Sequence, residues 1–429
     1  MKNSTKRMRA LVALATGASL VAALAGCGSS AGAAASPAGN VQFWTLQDPT
    51  NTVQQTAVDA FNSTSSGKVT MSVIATDGFK DKVRTAMGSS AMPGLFFNYG
   101  GGSLSDYVAA GKLVTLDPAL ETHFLPAALQ AGTVDGKFVG VPCRGTQPVF
   151  LFYNKKVFTD AGVQPPKTWS DLTNLVQVFK AKGVTPFTVA GSGTSSWTEL
   201  MWIEYLVDRL AGPGLFQKIA AGDWTQWKDP AVLKTAQMVE GLVSSGAFGS
   251  SFGSVNYGAG GTSTLLAKGK AAMELMGSWE YATQQSADPN FAKDDLGYVA
   301  FPTVDGGVGN PADVVGNPTN YISVTTSAAK TTAADFLKTT YSDSYVEGLV
   351  KMGEVPVTTN AAQLLSKAPD PAYAQFQYNL VQNAPAFTQS WDQALGLTLG
   401  TPLLTEIQKL FNGQDTPQQF VNSVLAIKS

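Results

Sequence analysis

An α/β protein arranged in two lobes is the fold class this sequence predicts, on three observations. Beyond an N-terminal leader about 400 residues remain, more than one ordinary core encloses. Short strand-type runs alternate with helix-type runs through most of the chain, the rhythm of an α/β architecture. Strand-type runs also return late, from Gly297 to Val324, which leaves open an assembly of each lobe from separated chain segments. A hydrophobic content of 44% supports folded cores.

The first element is the leader. Lys2, Lys6, Arg7 and Arg9 form a basic head, and Leu11 to Leu24 form an apolar stretch too short and too rich in Ala, Gly and Thr to span a bilayer comfortably. Met1 to Gly26 therefore reads as a secretory signal peptide. Its ending, Leu24-Ala25-Gly26-Cys27, resembles a bacterial lipobox, which implies cleavage before Cys27 and a diacylglycerol on the Cys27 sulfur. Each buried methylene contributes about 0.8 kcal/mol, so two or more acyl chains hold a protein on a membrane. Residues 27–40 then form a lipidated tether. The alternative is an ordinary signal peptide with an incidental cysteine.

Past the leader the charge balance is acidic. The whole chain has 29 Lys and Arg against 31 Asp and Glu, and four of the basic residues lie in the leader. Nothing in that balance suits nucleic acid or an anionic membrane surface. Cys143 is the one cysteine outside the anchor, so an intramolecular disulfide is excluded and stability must come from packing.

The elements follow in order. "VQFWTLQDP" from Val41 is a short apolar strand ending in a turn, and Thr52 to Phe61 has helical spacing. "KVTMSVIAT" returns to alternation, and strand and helix then succeed one another through "FKDKVRTAMGSSAMPGLFFNY", "VGVPC", "PVFLFYN", "TWSDLTNLVQVFKAKG" and "TPFTVAG" to a long helix around Leu200 to Leu210. Late in the chain come "LGYVAFP", "NYISVTT", the helical "TTAADFLKTTYSD", and helical patterning from Ala372 to Ile427.

"LFYNKKVFTDAGVQPPKTWSDL" (Leu151 to Leu172) reads locally as a strand end, a helix starting near Asn154, a break at Gly162, a Pro165-Pro166 linker and a helix opened by Thr168 to Asp171. The order Tyr153-Asn154-Lys155, Phe158, Ala161-Gly162, Pro166 and Thr168-Trp169 resembles the signature of family 1 extracellular solute-binding proteins, the sugar-capturing subunits of ABC importers. "GKAAMELMGSWE" (Gly269 to Glu280) is similar to a second block of that family, a glycine turn, an apolar strand and a Gly-Ser-Trp corner. "SDYVAAGKLVTLDP", "GYVAFPTVDG" and "AADFLKTTYSD" extend the likeness over most of the chain.

The resemblance implies a type II periplasmic-binding-protein-like fold: two α/β lobes, a hinge, and ligand in the cleft between them. By analogy the hinge crossovers fall near Cys143 to Val149, Phe301 to Thr303, and Glu354 to Val357. The N-terminal lobe is then 41–145 plus about 302–355, and the C-terminal lobe about 146–301 plus 356–429. The partners implied are a carbohydrate, in the form of a di- or oligosaccharide, the transmembrane subunits of an ABC permease, and the membrane through the lipid on Cys27. A monomer without cofactor or metal, outside the cytoplasm, is expected.

A sugar offers C–H patches ringed by hydroxyls, so its receptor needs aromatic faces with amide, carboxylate or guanidinium groups at their rim. Trp279 in the Gly-Ser-Trp corner is the leading candidate, because the family's tryptophan there stacks on sugar. Trp391 in "FTQSWDQALG" stands where maltose-binding relatives carry a stacking aromatic, and Trp197 after "AGSGTSS" matches a further one. Tyr99 ends a strand before a glycine loop, where ligand and backbone approach easily. Trp44 ends the first strand and Asp48 follows it, and either lines the cleft or packs and caps the first turn. Arg144 and Gln147 flank the expected hinge; the arginine fork suits polar or anionic groups of a ligand, or else a surface ion pair with a neighbouring lobe. Glu280 is a hydroxyl acceptor or a solvated helix residue. Asn317 and Asn320 in "GNPTNY" fit turn chemistry, and Asn320 is kept as a ligand candidate. Trp169, Trp202, Trp224 and Trp227 read as packing residues.

Enzyme chemistry finds little support. His123 is the sole histidine and has no matching motif, and the cysteine count leaves no zinc set. No phosphate-binding loop or dinucleotide fingerprint occurs. A glycoside hydrolase with Glu280 and Asp392 as its carboxyl pair is one remaining alternative. A receptor for a peptide or polyol on the same scaffold is the other.

Overall fold

A computed structural model describes residues 39–428. The signal peptide, Cys27 and all but the last two residues of the tether fall outside the described residues. No helix among the described residues is long and apolar enough to cross a membrane.

Thirteen strands occur among the described residues: β1 (Val41–Leu46), β2 (Val69–Ile74), β3 (Leu95–Asn98), β4 (Thr133–Val134), β5 (Lys137–Phe138), β6 (Val141–Pro142), β7 (Gln147–Asn154), β8 (Thr185–Thr188), β9 (Ala271–Gly277), β10 (Leu296–Val299), β11 (Val314–Asn317), β12 (Tyr321–Val324) and β13 (Phe387–Gln389). One sheet has the order β2-β1-β3-β12-β6, the other β13-β11-β7-β9-β8 with β10 also paired to β7, and β4 and β5 form a small hairpin.

In the first sheet β1 runs parallel to β2 and β3 (Val41 opposite Val69, Phe43 opposite Leu95), and β12 closes on β3 antiparallel. All four residues of β3 are buried, as expected of a strand with both faces covered. Phe43 and Phe61 pack on Phe336 from the helix Lys330–Leu337. The second sheet is centred on β7, whose eight residues pair successively with β11, β9 and β10. Its core gathers Phe150, Phe152, Trp202 and Tyr373, with Trp202 edge-on to Phe187 at 5.0 Å. The two sheets thus have separate hydrophobic cores, as a two-lobe chain requires.

Local readings recur in the structure. Asn154 caps the helix Lys155–Ala161 by accepting from the Val157 N–H, and Gly162 ends it at φ 71°. Thr168 and Asp171 form a reciprocal capping box.

Three expectations need correction. The first crossover lies where it was expected, between β6 in one sheet and β7 in the other, but the second does not lie near Phe301 to Thr303. The stretch 314–317, assigned from sequence to the first lobe, is β11 and sits in the second sheet, so the chain returns only between Asn317 and Tyr321. Gly316 allows this, since a Cβ there would stand 2.2 Å from the Gln147 carbonyl oxygen. The third crossing is also later than Glu354 to Val357: Thr358 still bridges to Phe124 of the first lobe, whereas Tyr373 donates its hydroxyl to the Ser278 carbonyl of the second. Finally, the helical patterning after Ala372 is interrupted by β13, a three-residue strand too short to show a period of two.

Candidate functional site

The parallel strands of the first sheet end at one edge, and their C-terminal loops line a cavity of about 790 Å³. After β1 come Gln47, Asp48 and Asn51, after β2 Thr76, Gly78 and Lys80, and after β3 Tyr99. Ligand crevices in α/β sheets lie outside the carboxyl ends of strands for this topological reason. The second lobe supplies the facing wall in the same way. Beyond β8 lie Thr194 and Trp197, beyond β9 Trp279, and beyond β13 Ser390 and Asp392.

Three partly exposed aromatic rings form this facing wall. Trp197 opens the helix Trp197–Ala211; its ring stands edge-on to Tyr257 at 4.9 Å and tilted against Trp279 at 6.1 Å. Trp279 opens the helix Trp279–Ala287 directly after β9. Its indole folds back over Gly277, where a Cβ would come within 2.0 Å of the ring, which is the physical reason for glycine in the Gly-Ser-Trp corner.

Behind that wall lies a buried carboxyl pair. Glu280 accepts from the Ser263 hydroxyl at 3.0 Å and from Gln284 Nε2 at 2.7 Å. Burial pushes its carboxyl up to about 7. Burial and then the neighbouring Glu280 charge hold Glu274 well above the usual carboxylate range. Burial, with Glu280 next, also raises the Tyr257 hydroxyl, which keeps it neutral as a donor and acceptor.

At the hinge Arg144, 2% exposed, is gripped from two sides. It pairs with Asp48 from the β1 loop, and its Nε donates to Glu354 Oε1 at 2.6 Å. The other Glu354 oxygen accepts the Gly145 N–H at 2.8 Å. Among the contacts that join the lobes, Asn256 donates to Asp77, Gln389 Nε2 donates to the Tyr99 carbonyl at 3.0 Å, and Lys80 pairs with Asp392 at 2.5 Å. Among the described residues no group of three or more His, Cys, Asp or Glu is placed to hold a metal ion.

Of the residues singled out from sequence, Trp279, Trp197, Tyr99, Asp48, Arg144, Gln147 and Asn320 line this cavity together. Trp391, Trp44 and Glu280 do not. Trp391 is 1% exposed, stacked on Phe216 at 4.5 Å and edge-on to Trp227, because its short helix turns the ring into the second core. Trp44 lies within β1 between buried Phe43 and Thr45, half-buried with the Lys82 ammonium over its ring at 5.1 Å. Glu280 is neither solvated nor at the cavity, but buried behind the wall. Its burial also dissolves the carboxyl pair of a hydrolase, since only Asp392 of the two reaches the cavity.

Tyr257 and Lys80 line the cavity and were not among the sequence candidates for the site, while Asn317, set down to turn chemistry, and Asp392, named only in the hydrolase alternative, line it too. Asn256-Tyr257-Gly258 repeats the triplet Asn98-Tyr99-Gly100, and that repetition was the available sign. Lys80 and Asp392 stand 312 positions apart, and no local pattern joins them.

Residues 44–347 match the family of bacterial extracellular solute-binding proteins. The chain belongs to this family. A curated relative, the multiple sugar-binding protein of Streptococcus mutans, is 29% identical over 160 residues, covering 35% of this chain and 36% of its own. The chain spans about half or less of the length of the curated relatives it matches. Among solved structures, one from work on xylan utilization by Caldanaerobius polysaccharolyticus superimposes with a TM-score of 0.83 at 25% identity, covering 90% of this chain and 99% of that one. A chitin oligosaccharide binding protein superimposes with a TM-score of 0.81 at 24% identity, covering 92% and 98%. The family member described here has their two-lobe fold.

Proposed function

We propose that this family member is the solute receptor of an ABC importer, held to the outer face of the cell membrane by lipid on Cys27, that closes on a di- or oligosaccharide and passes it unchanged to the permease. The observation that carries the reading is one cavity lined both by the aromatic rings of Trp197, Tyr257 and Trp279 and by the hydrogen-bonding side chains of Asp48, Gln147 and Asn320. Flat rings suit the C–H faces of pyranoses, and the polar groups suit their hydroxyls. At about 790 Å³ the space falls within the range of small-molecule sites and suits more than one ring. The relative and the structural neighbour named for sugars support the same class.

Ligand shifts such a receptor toward closure only through contacts it makes better with both lobes than with one. A thermal-shift panel of mono- and oligosaccharides tests the assignment. Binding to the folded state raises the melting temperature by mass action, so at least one carbohydrate should raise it. Trp279→Ala should abolish that shift while its unliganded melting temperature stays near wild type. A shift produced only by a peptide, a polyol or another non-sugar solute would replace the substrate class, and products shorter than the oligosaccharide supplied would overturn the receptor reading. For the anchor, Cys27→Ala should release the chain from membranes, and retention would remove lipidation from the proposal.

A further inference from the structure

We propose that the cleft is built for an uncharged solute and that Asp392 makes it so. The inference rests on the carbohydrate-receptor reading for its location and adds the charge class of the ligand. Among the described residues two cationic side chains line the cavity, Lys80 and Arg144, and both are already paired. Arg144 lies between Asp48 and Glu354 and is only 2% exposed. Lys80, with its side chain 32% exposed, is the one cation an entering group reaches, and Asp392 Oδ2 holds it at 2.5 Å. The Lys80 ammonium also stands over the Tyr99 ring at 5.0 Å. Asp392 is 3% exposed, accepts a second hydrogen bond from Gln393 Nε2 at 3.1 Å, and keeps its other oxygen unpartnered. Asp81, the remaining charged residue of the lining, is tied to Arg84.

More carboxyls stand just behind. Glu204 accepts the Trp391 N–H at 2.6 Å and the Ser390 hydroxyl at 2.8 Å, and Glu274 and Glu280 sit behind Trp279. Burial raises all three of these carboxyls well above the usual carboxylate range, so the charge balance is set by the lining and the hinge, where Asp48, Asp81, Asp392 and Glu354 outnumber Lys80 and Arg144. An anionic group entering it must shed its water beside carboxylates with no free cation to meet. Its other course is to take Lys80 from Asp392 and leave a buried carboxylate without its counter-ion. A hydroxyl faces neither penalty. Asp392 thereby masks the one accessible ammonium, and selectivity against anions follows from an ion pair inside the protein.

Calorimetric titration with matched probes tests this. Maltotriose, xylotriose and tri-N-acetylchitotriose are each offered beside the aldonic acid made by oxidising its reducing end, together with sn-glycerol 3-phosphate. The wild type should bind its preferred neutral trisaccharide about a hundred-fold more tightly than the matching acid, and Asp392→Asn, which leaves Lys80 unpaired, should narrow that ratio about ten-fold by gaining affinity for the acid. Lys80→Gln is the converse: it exposes the carboxylate and should improve binding of glucosamine trimer. A merely structural Asp392 would lower both affinities together and leave their ratio unchanged. The proposal is overturned if wild type takes the acid as well as its neutral partner, if the ratio is unmoved in Asp392→Asn, or if glycerol phosphate is the solute bound. Binding of a neutral non-sugar alone would overturn the carbohydrate reading while supporting the charge rule, and silence from every solute would overturn both.

Discussion

Gly277→Ala is the smallest perturbation that reaches the cavity wall. The added methyl would lie 2.0, 2.2 and 2.4 Å from three carbons of the Trp279 six-membered ring, well inside van der Waals contact. Something must move, and the backbone is the stiffer partner: Gly277 pairs with Val149 in the β7–β9 ladder, and Ser278 N–H donates to the Pro148 carbonyl at 2.9 Å. Trp279 is only partly buried and borders open space, so the indole swings into the cavity. Overpacking of this kind costs about 1 to 3 kcal/mol. Because the displaced ring occupies ligand volume, most of that cost should appear in binding, a loss of about 5- to 150-fold. The assay is a ligand titration followed by tryptophan fluorescence, with a thermal melt of the unliganded protein as control. A variant with wild-type affinity and an unchanged emission spectrum would refute both the position of the ring and its role.

The remaining expectations concern the cores, the hinge and the buried acids. Trp202→Ala should lose about 3 to 5 kcal/mol in denaturant unfolding, since the ring is fully buried between Phe187 and Phe248. Glu354→Gln removes one of two partners of a buried guanidinium and should destabilise by about 3 kcal/mol in the same assay; an unchanged midpoint would show the hinge pair to be dispensable. Glu280 has a folded-state value of about 7, above its unfolded value, so the folded form binds more protons and stability falls as pH rises from the carboxylate range through about 7. Glu280→Gln should therefore flatten the decline in melting temperature between pH 5 and 8, and a slope equal to wild type would contradict the carboxyl assignment. Cys143 is buried and burial pushes its thiol up, so a thiol reagent should label it only on unfolding.

Features set by neighbouring residues are legible in the sequence. The apolar strand runs of β1, β2 and β7, the Thr168–Asp171 capping box and the Gly-Ser-Trp corner depend on residues a few positions apart, and their physics is complete within such a window. Trp279 and Trp197 were singled out through the family resemblance of their positions, and both line the cavity. Trp391 has nearly the same local setting, yet its ring is sealed between Phe216 and Trp227, and that choice depends on helices distant in sequence. β11 joins the second sheet because a glycine lets it lie against Gln147, a contact between residues far apart in the chain.

By itself, then, the sequence determined the alternating architecture, the capped helices and the single cysteine beyond the tether, since each is a local consequence of side-chain periodicity or composition, while the resemblance of short motifs pointed to Trp279 and Trp197. Tertiary structure alone decided which tryptophans face solvent, where the chain crosses between lobes, and which charges meet. Lys80 meets Asp392 only because two sheets bring their strand ends to one cleft, and Arg144 meets Glu354 because the segment after the helix Asp343–Lys351 bridges to the hinge at Gly145; electrostatic partners are chosen by distance in space, which no window of sequence contains.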